Sequence, residues 1–193
     1  MSSDALGRYR AARHLVKTAD CVVWRAPVTL NPRYWVGMLI RIIKDDDVNH
    51  ASFIVRHKIQ DKIIEALEDG VVPRRFSTRL EEYKGKVYLL QLRDEFDCIR
   101  EGAARRAEEW AIKKDRYDWL GCATHLITRP QVKPPWHCSE LYYAMVCEEV
   151  EAVGDPVCLD IMMTCMETLG GGAPRPGDLK KLPMFKRGWT RIK

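Results

Sequence analysis

Strand-like and helix-like patterns are segregated along this chain, and that segregation limits the folds open to it. Short β-rich runs cluster before residue 93, and most of the long 3.6-periodic runs follow it. Strands gathered in one stretch and helices in another point to an α+β domain rather than to alternating βαβ units. The strand-like runs are 21–25, 51–57, 58–66 with a turn at Gln60-Asp61, 71–73 ending at Pro73, and 86–92 bounded by Gly85. The helix-like runs are 4–18; 31–43, with Tyr34, Trp35, Met38, Leu39, Ile42 and Ile43 on one face; 77–83, capped by Ser77; 95–114; 117–128; and 138–151. Pro130, Pro134 and Pro135 break the chain before the last of these, Gly170 to Gly172 with Pro174 and Pro176 form a loop, and a short segment at 189–192 closes it.

A length of 193 residues, 46% of them hydrophobic, suits one compact domain with a real core. We divide it into a basic N-terminal arm or helix, 1–19, and a domain over 20–193. The formal net charge is +5. Much of the excess sits at the two ends, in Arg8, Arg10, Arg13 and Lys17 and again in Lys180, Lys181, Lys186, Arg187, Arg191 and Lys193. Those residues form no one-sided stripe interleaved with aromatics, so no nucleic-acid partner is expected. Seven cysteines, an odd number, and an N-terminus with no apolar signal region predict reduced thiols and a cytoplasmic protein. Delivery in a phage particle or by another non-classical route would leave the same signature.

The chemistry centres on Cys138. Pro134, Pro135 and Trp136 favour an extended approach to a helix that starts near it. A helix N-terminus stabilises a thiolate, and its free N–H groups suit the oxyanion of an acyl-transfer intermediate. One buried thiol among seven is the plainer alternative. A base must come from His14, His50, His57, His125 or His137. His50 opens an apolar strand and has a rigid platform there, whereas His57, seven residues on, falls on the opposite face. Glu65 is a polar residue inside the apolar run Ile63-Ile64-Glu65-Ala66. If 50–57 and 58–66 pair as a hairpin, Glu65 returns level with His50 and can hold its tautomer. A solvent-facing glutamate at a strand end is the alternative. No Cys-x-x-Cys or His-Glu-x-x-His occurs, so neither a metal nor an organic cofactor is expected.

Several segments together resemble the YiiX-like proteins: Asn49-His50-Ala51-Ser52-Phe53-Ile54-Val55; Ile64-Glu65-Ala66 with Gly70-Val71; Tyr117-Asp118-Trp119; and Trp136-His137-Cys138-Ser139-Glu140-Leu141. The run Asp20 to Arg25 and the run Pro176 to Leu179 with Phe185 add to the likeness, which spans roughly residues 20 to 190. These proteins are circularly permuted NlpC-type members of the papain-like superfamily, related to the lecithin:retinol acyltransferase group. The resemblance implies a small antiparallel sheet with the cysteine helix packed on it. It also implies a thiol hydrolase with Cys138 as nucleophile, His50 as base and Glu65 as its orienting residue, with the cysteine last in chain order. Trp136, His137 and Ser52 are expected at the substrate. Ser139 and Glu140 match the pattern and are assigned to the helix start. The implied substrates are peptide-like amides, including cell-wall peptides, or lipid acyl esters and amides. The run 31–43 with Arg33, Arg41 and Lys44 fits either a core-packing helix or membrane contact. A non-catalytic binding or particle-structural module on the same fold is the third reading.

Overall fold

The computed structural model describes residues 3–27, 48–67, 69–113 and 137–193. The helices expected at 31–43 and 117–128, together with Cys122, His125 and Trp136, lie outside the described residues. Strands β1 (Cys21–Arg25), β2 (His50–Val55), β3 (Lys62–Leu67), β4 (Gly70–Arg75), β5 (Lys86–Leu90) and β6 (Thr190–Arg191) form one sheet. The order is β4-β3-β2-β1-β5-β6, and every neighbouring pair is antiparallel. The helices are α1 (Ser3–Ala12), α2 (Phe76–Glu82), α3 (Arg100–Lys113), α4 (Cys138–Val153), α5 (Pro156–Leu169) and α6 (Pro176–Leu179). Among the described residues no helix is long and apolar enough to cross a membrane.

Both faces of the central strands are covered. Cys21 and Val23 of β1, Phe53 and Val55 of β2, and Ile64 and Ala66 of β3 face one core, shared with α3, α4 and α5. Val22, Trp24, Ile54, Ile63, Val87 and Leu89 face a second, smaller core closed by Tyr9 of α1 and by Phe76, Leu80 and Tyr83 in and after α2. This explains why Val22-Val23-Trp24 and Phe53-Ile54-Val55 read as unbroken apolar runs: a strand buried on both faces has no polar side to alternate. Helix α1 and the turn after it dock here. Tyr9 hydrogen-bonds to the Asp61 carboxylate, Arg13 Nε lies 3.1 Å from it, and Tyr9 packs edge-on against Phe76.

Local signals account for most boundaries. Pro73 does not end β4, which runs on to Arg75 with Pro73 opposite Ile64. β4 is an edge strand, where a missing N–H can be tolerated. Gly85 precedes β5 because a Cβ there would come within 2.0 Å of the Arg25 carbonyl oxygen. The patterning assigns no element to 152–169, yet α5 occupies most of it. Asp155 caps that helix by accepting from Val157 N and Cys158 N, each at 3.0 Å. Pro156 takes the first helical position and Gly170, at φ 62°, ends it.

A buried ion pair ties the sheet to the helical layer. Arg100, the first residue of α3, places Nη1 3.0 Å from Asp20 Oδ1. It also donates to Thr18 O at 2.5 Å and to Leu92 O at 2.9 Å. Asp20 accepts from Lys17 N at 2.8 Å and Leu92 N at 3.1 Å. Burial outweighs these partners and raises the Asp20 carboxyl above its ordinary value. Removing one member of such a pair leaves the other uncompensated, at a cost of about 3–5 kcal/mol. Arg100→Ala is therefore expected to lower the unfolding free energy measured by urea denaturation by that amount. A loss of less than about 1 kcal/mol would be the size of an exposed pair and would contradict the assignment.

Candidate active site

His50 is the first residue of β2, and the chain just before it is fixed by its neighbours. Asn49 N donates to Trp24 O at 2.9 Å, and Asn49 Oδ1 accepts from Ala26 N at 2.6 Å. The β2–β3 register pairs Phe53 with Ile64 and Ile54 with Ile63. Continued by one step, it sets Ser52 opposite Glu65 and leaves His50 on the diagonal. The hairpin thus brings imidazole and carboxylate together, with Ser52 rather than His50 directly across from Glu65. His50 Nε2 lies 2.8 Å from Glu65 Oε1.

Glu65 has no solvent exposure, and its carboxylate is held on both oxygens. Ser52 Oγ donates to Oε1 at 2.9 Å, and Arg79 Nε of α2 lies 3.2 Å from Oε2. Trp24 Nε1 donates to Ser52 Oγ at 2.6 Å. A relay runs from the Trp24 indole through Ser52 and Glu65 to His50. Ser52 was expected at the substrate. Instead it is fully buried, and its hydroxyl is spent on Trp24 and Glu65, so it orients the carboxylate.

Cys138 is the first residue of α4. Its helix start is pinned by Ser139 Oγ donating to Pro174 O at 2.7 Å. One turn later Tyr142 donates to Ala19 O at 2.8 Å. His137, expected at the substrate, is the N-cap and is largely buried. Its backbone N–H donates to Glu140 Oε2 at 3.0 Å, so Glu140 stabilises the helix start. Cys138, by its charge and as a hydrogen-bond partner, acts on the titration of the His50 ring, which places the thiol beside the imidazole. With Nε2 on Glu65, the nitrogen left for the sulfur is Nδ1. Cys138 is 7% exposed and the His50 side chain 14%, so this contact is poorly screened by water.

The electrostatics favour a charged imidazole. Burial pulls the His50 ring down, but the neighbouring Cys138, as charge and as hydrogen-bond partner, and Glu65 together push it up to about 9. Burial also acts to raise Glu65, and there the hydrogen bond and charge of His50, with Arg79 and Ser52, prevail and hold it below the ordinary carboxylate range. Burial pushes Cys21 well up, Cys147 and Cys158 to about 12, and Cys165 to about 11. Cys98 is exposed.

Two residues of this arrangement escape a reading of the sequence. Trp24 stands in the strand run with nothing to mark its indole as a donor to Ser52. Arg79 lies in a short helix with no spacing relation to residues 50 or 65. Because the folded His50 value exceeds the ordinary one, its contribution to stability is complete below about pH 6.5 and is lost as pH rises through about 9. That of Glu65, whose folded value is depressed, is present above its ordinary value of 4.5 and is lost as pH falls through the folded one. Proton NMR of the His50 ring should show a midpoint near 9. Glu65→Gln and Cys138→Ala should each lower it, by about 1 unit or more. A midpoint near 6.5 in the unaltered protein would refute this account.

No protein-family model matches the sequence, and no curated protein matches it. The crystal structure of metalloprotein YiiX from Escherichia coli O157:H7, DUF1105, is similar, with a TM-score of 0.57 at 12% sequence identity over 88% of this chain and 94% of that one. Identity this low speaks to architecture alone. A six-stranded antiparallel sheet with helices on both faces, matched over nearly the whole of both chains, gives this protein a YiiX-like α+β fold.

Proposed function

We propose that the protein is a cysteine hydrolase of the circularly permuted papain-like type, acting on amide bonds of peptide-like substrates through an acyl-enzyme on Cys138. The observation that carries the reading is the convergence on His50 of a thiol at a helix N-terminus and a fully buried carboxylate. A cysteine paired with imidazolium is a ready nucleophile.

In the proposed reaction the Cys138 thiolate attacks the carbonyl carbon. The oxyanion is received by N–H groups of the first turn of α4, which have no acceptor within the helix. His50 gives its proton to the departing amine as the C–N bond breaks and the thioester forms. It then takes a proton from water, which attacks the thioester, and the acid leaves as the thiol is regenerated. Glu65 holds the imidazole and stabilises its charged form.

The YiiX structure is described as that of a metalloprotein. In this chain, no group of three or more His, Cys, Asp or Glu side chains is placed to hold a metal ion among the described residues. Glu65, the one carboxylate against His50, already has a guanidinium on its second oxygen. Among the described residues the donor set does not fit a resident metal, and the proposed steps use none.

The test is alkylation followed by turnover. In a Cys98→Ala background, which removes the thiol that is exposed among the described residues, iodoacetamide should modify Cys138 selectively near neutral pH, and His50→Ala should abolish that selectivity. Incubation with peptide-like amides, including cell-wall peptides, should yield a thioester adduct by intact mass. Glu65→Gln should reduce turnover by roughly 10²–10⁴-fold. Release of fatty acid from detergent-extracted lipids, without peptide cleavage, would instead assign the site to lipid acyl chemistry. Indifferent labelling of the thiols with no adduct would mark a non-catalytic module.

A further inference from the structure

The candidate site contains a charge problem that the proposed reaction does not itself solve. A thiolate, an imidazolium and a carboxylate in a row carry one net negative charge. Glu65 has no solvent exposure, so water cannot compensate it, and an uncompensated buried charge costs several kcal/mol. We infer that Arg79 is a positioning residue for this row: its guanidinium fixes Oε2 of Glu65, supplies the balancing positive charge and so sets the pH range over which His50 and Cys138 work as a pair. The inference rests on the Cys138–His50 reading above and extends it to a residue on a separate element.

Geometry carries the case. His50 and Ser52 engage one oxygen of Glu65, and Arg79 engages the other. That division fixes the carboxylate plane and keeps Oε1 on the imidazole. Arg79 is itself held, its guanidinium carbon lying 5.2 Å from the Trp24 ring centroid and 5.5 Å from that of Tyr83. The two rings meet edge to face at 4.9 Å, forming a cradle with cation–π attraction on two sides. Among the described residues the surroundings contain few other charges. Glu65 faces His50 and Ser52 of β2 and Arg79 of α2, and its partner on β4 is apolar Val72. His50 faces Cys138, Glu65 and the Trp24 ring. Cys138 has Cys21 beside it, a thiol that burial keeps neutral.

The charge role and a merely structural role predict opposite signs. Without the cation, Glu65 takes up a proton at higher pH, because an opposite charge at this range lowers a carboxyl by about 1–3 units. While Glu65 is ionised, its full charge then falls on His50, whose ring holds its proton to higher pH. Both midpoints move up. A loosened cradle would weaken the His50–Glu65 contact and move the His50 midpoint down.

The experiment follows the His50 ring by NMR from pH 3 to 10.5, in a Cys138→Ala background so that no thiolate contributes. Arg79→Met should raise the acidic midpoint, at which the ring senses Glu65, by about 1 unit or more, and should also raise the alkaline midpoint. Arg79→Lys should restore both to within about 0.5 unit. Arg79→Gln, which keeps a donor to Glu65 but no charge, should behave like Arg79→Met and serves if the latter does not fold. Unchanged midpoints, or a His50 midpoint that falls, would overturn the inference. Failure of the hydrolase reading looks different: no selective Cys138 alkylation in the Cys98→Ala protein, whatever Arg79 does.

Discussion

A carboxylate with no access to water must be compensated where it stands, and Glu65 imposes that condition on everything around it. By alternation it shares with Ile63 the face of β3 that the smaller of the two cores covers. An apolar residue there would cost nothing in solvation. The glutamate is tolerated because two elements deliver three polar partners to it: Ser52 and His50 from β2, and Arg79 from α2. Each partner is secured in turn, Ser52 by the Trp24 indole, His50 by the Asn49 turn before it, and Arg79 by two aromatic faces. The imidazole is therefore oriented by the small core, and the shape of that core depends on the docking of α1 and α2.

The thiol comes from the other side. Cys138 belongs to the larger core, with α3, α4 and α5. By register, His50 shares a face of the sheet with Ser52 and Ile54, away from that core. A sheet separates its two faces, so side chains from opposite faces meet only beyond a strand end. His50 is the first residue of β2 and Cys138 the first of α4, and both termini are fixed by hydrogen bonds from outside their own elements. The meeting is set by where two elements begin, which is why the anchors of those beginnings matter: Asn49 for β2, and Ser139 and Tyr142 for α4.

How much of this is legible in the sequence follows from how local each signal is. The strands show because β-branched and aromatic residues concentrate in them, and α4 shows because the prolines before it and its own apolar positions mark a helix start. The His50–Glu65 contact is partly legible: pairing the runs on either side as a hairpin brings Glu65 back near the start of β2, although the register centres the turn between Lys58 and Ile59 rather than at Gln60-Asp61. Ser52 is half legible: its position opposite Glu65 follows from that register, but its burial does not, because a second core over that face depends on α1 and α2 docking from elsewhere. Arg79 is not legible at all. Its contact joins residues 14 apart through the packing of a short helix, and no periodicity encodes that. The helix α5 is the opposite case, since Asp155, Pro156 and Gly170 are strong local punctuation.

The two buried ion pairs, Asp20 with Arg100 and Glu65 with Arg79, share chemistry but differ in what their surroundings allow. The Asp20 carboxylate is filled by two backbone amides and a guanidinium, and Arg100 spends its remaining donors on the carbonyls of Thr18 and Leu92 and on Asp97. That cluster is closed to further proton exchange with a neighbour, and its effect is to lock the start of β1 to the start of α3. The Glu65 cluster contains an imidazole, a group that can give up its proton as pH rises through about 9. Burial pushes both carboxyls upward, yet only at Glu65 is that push reversed. A carboxylate kept ionised against burial, with a titratable ring on one oxygen and a fixed cation on the other, is arranged to hold charge on the ring. That difference separates the pair that joins the layers from the pair that serves the site.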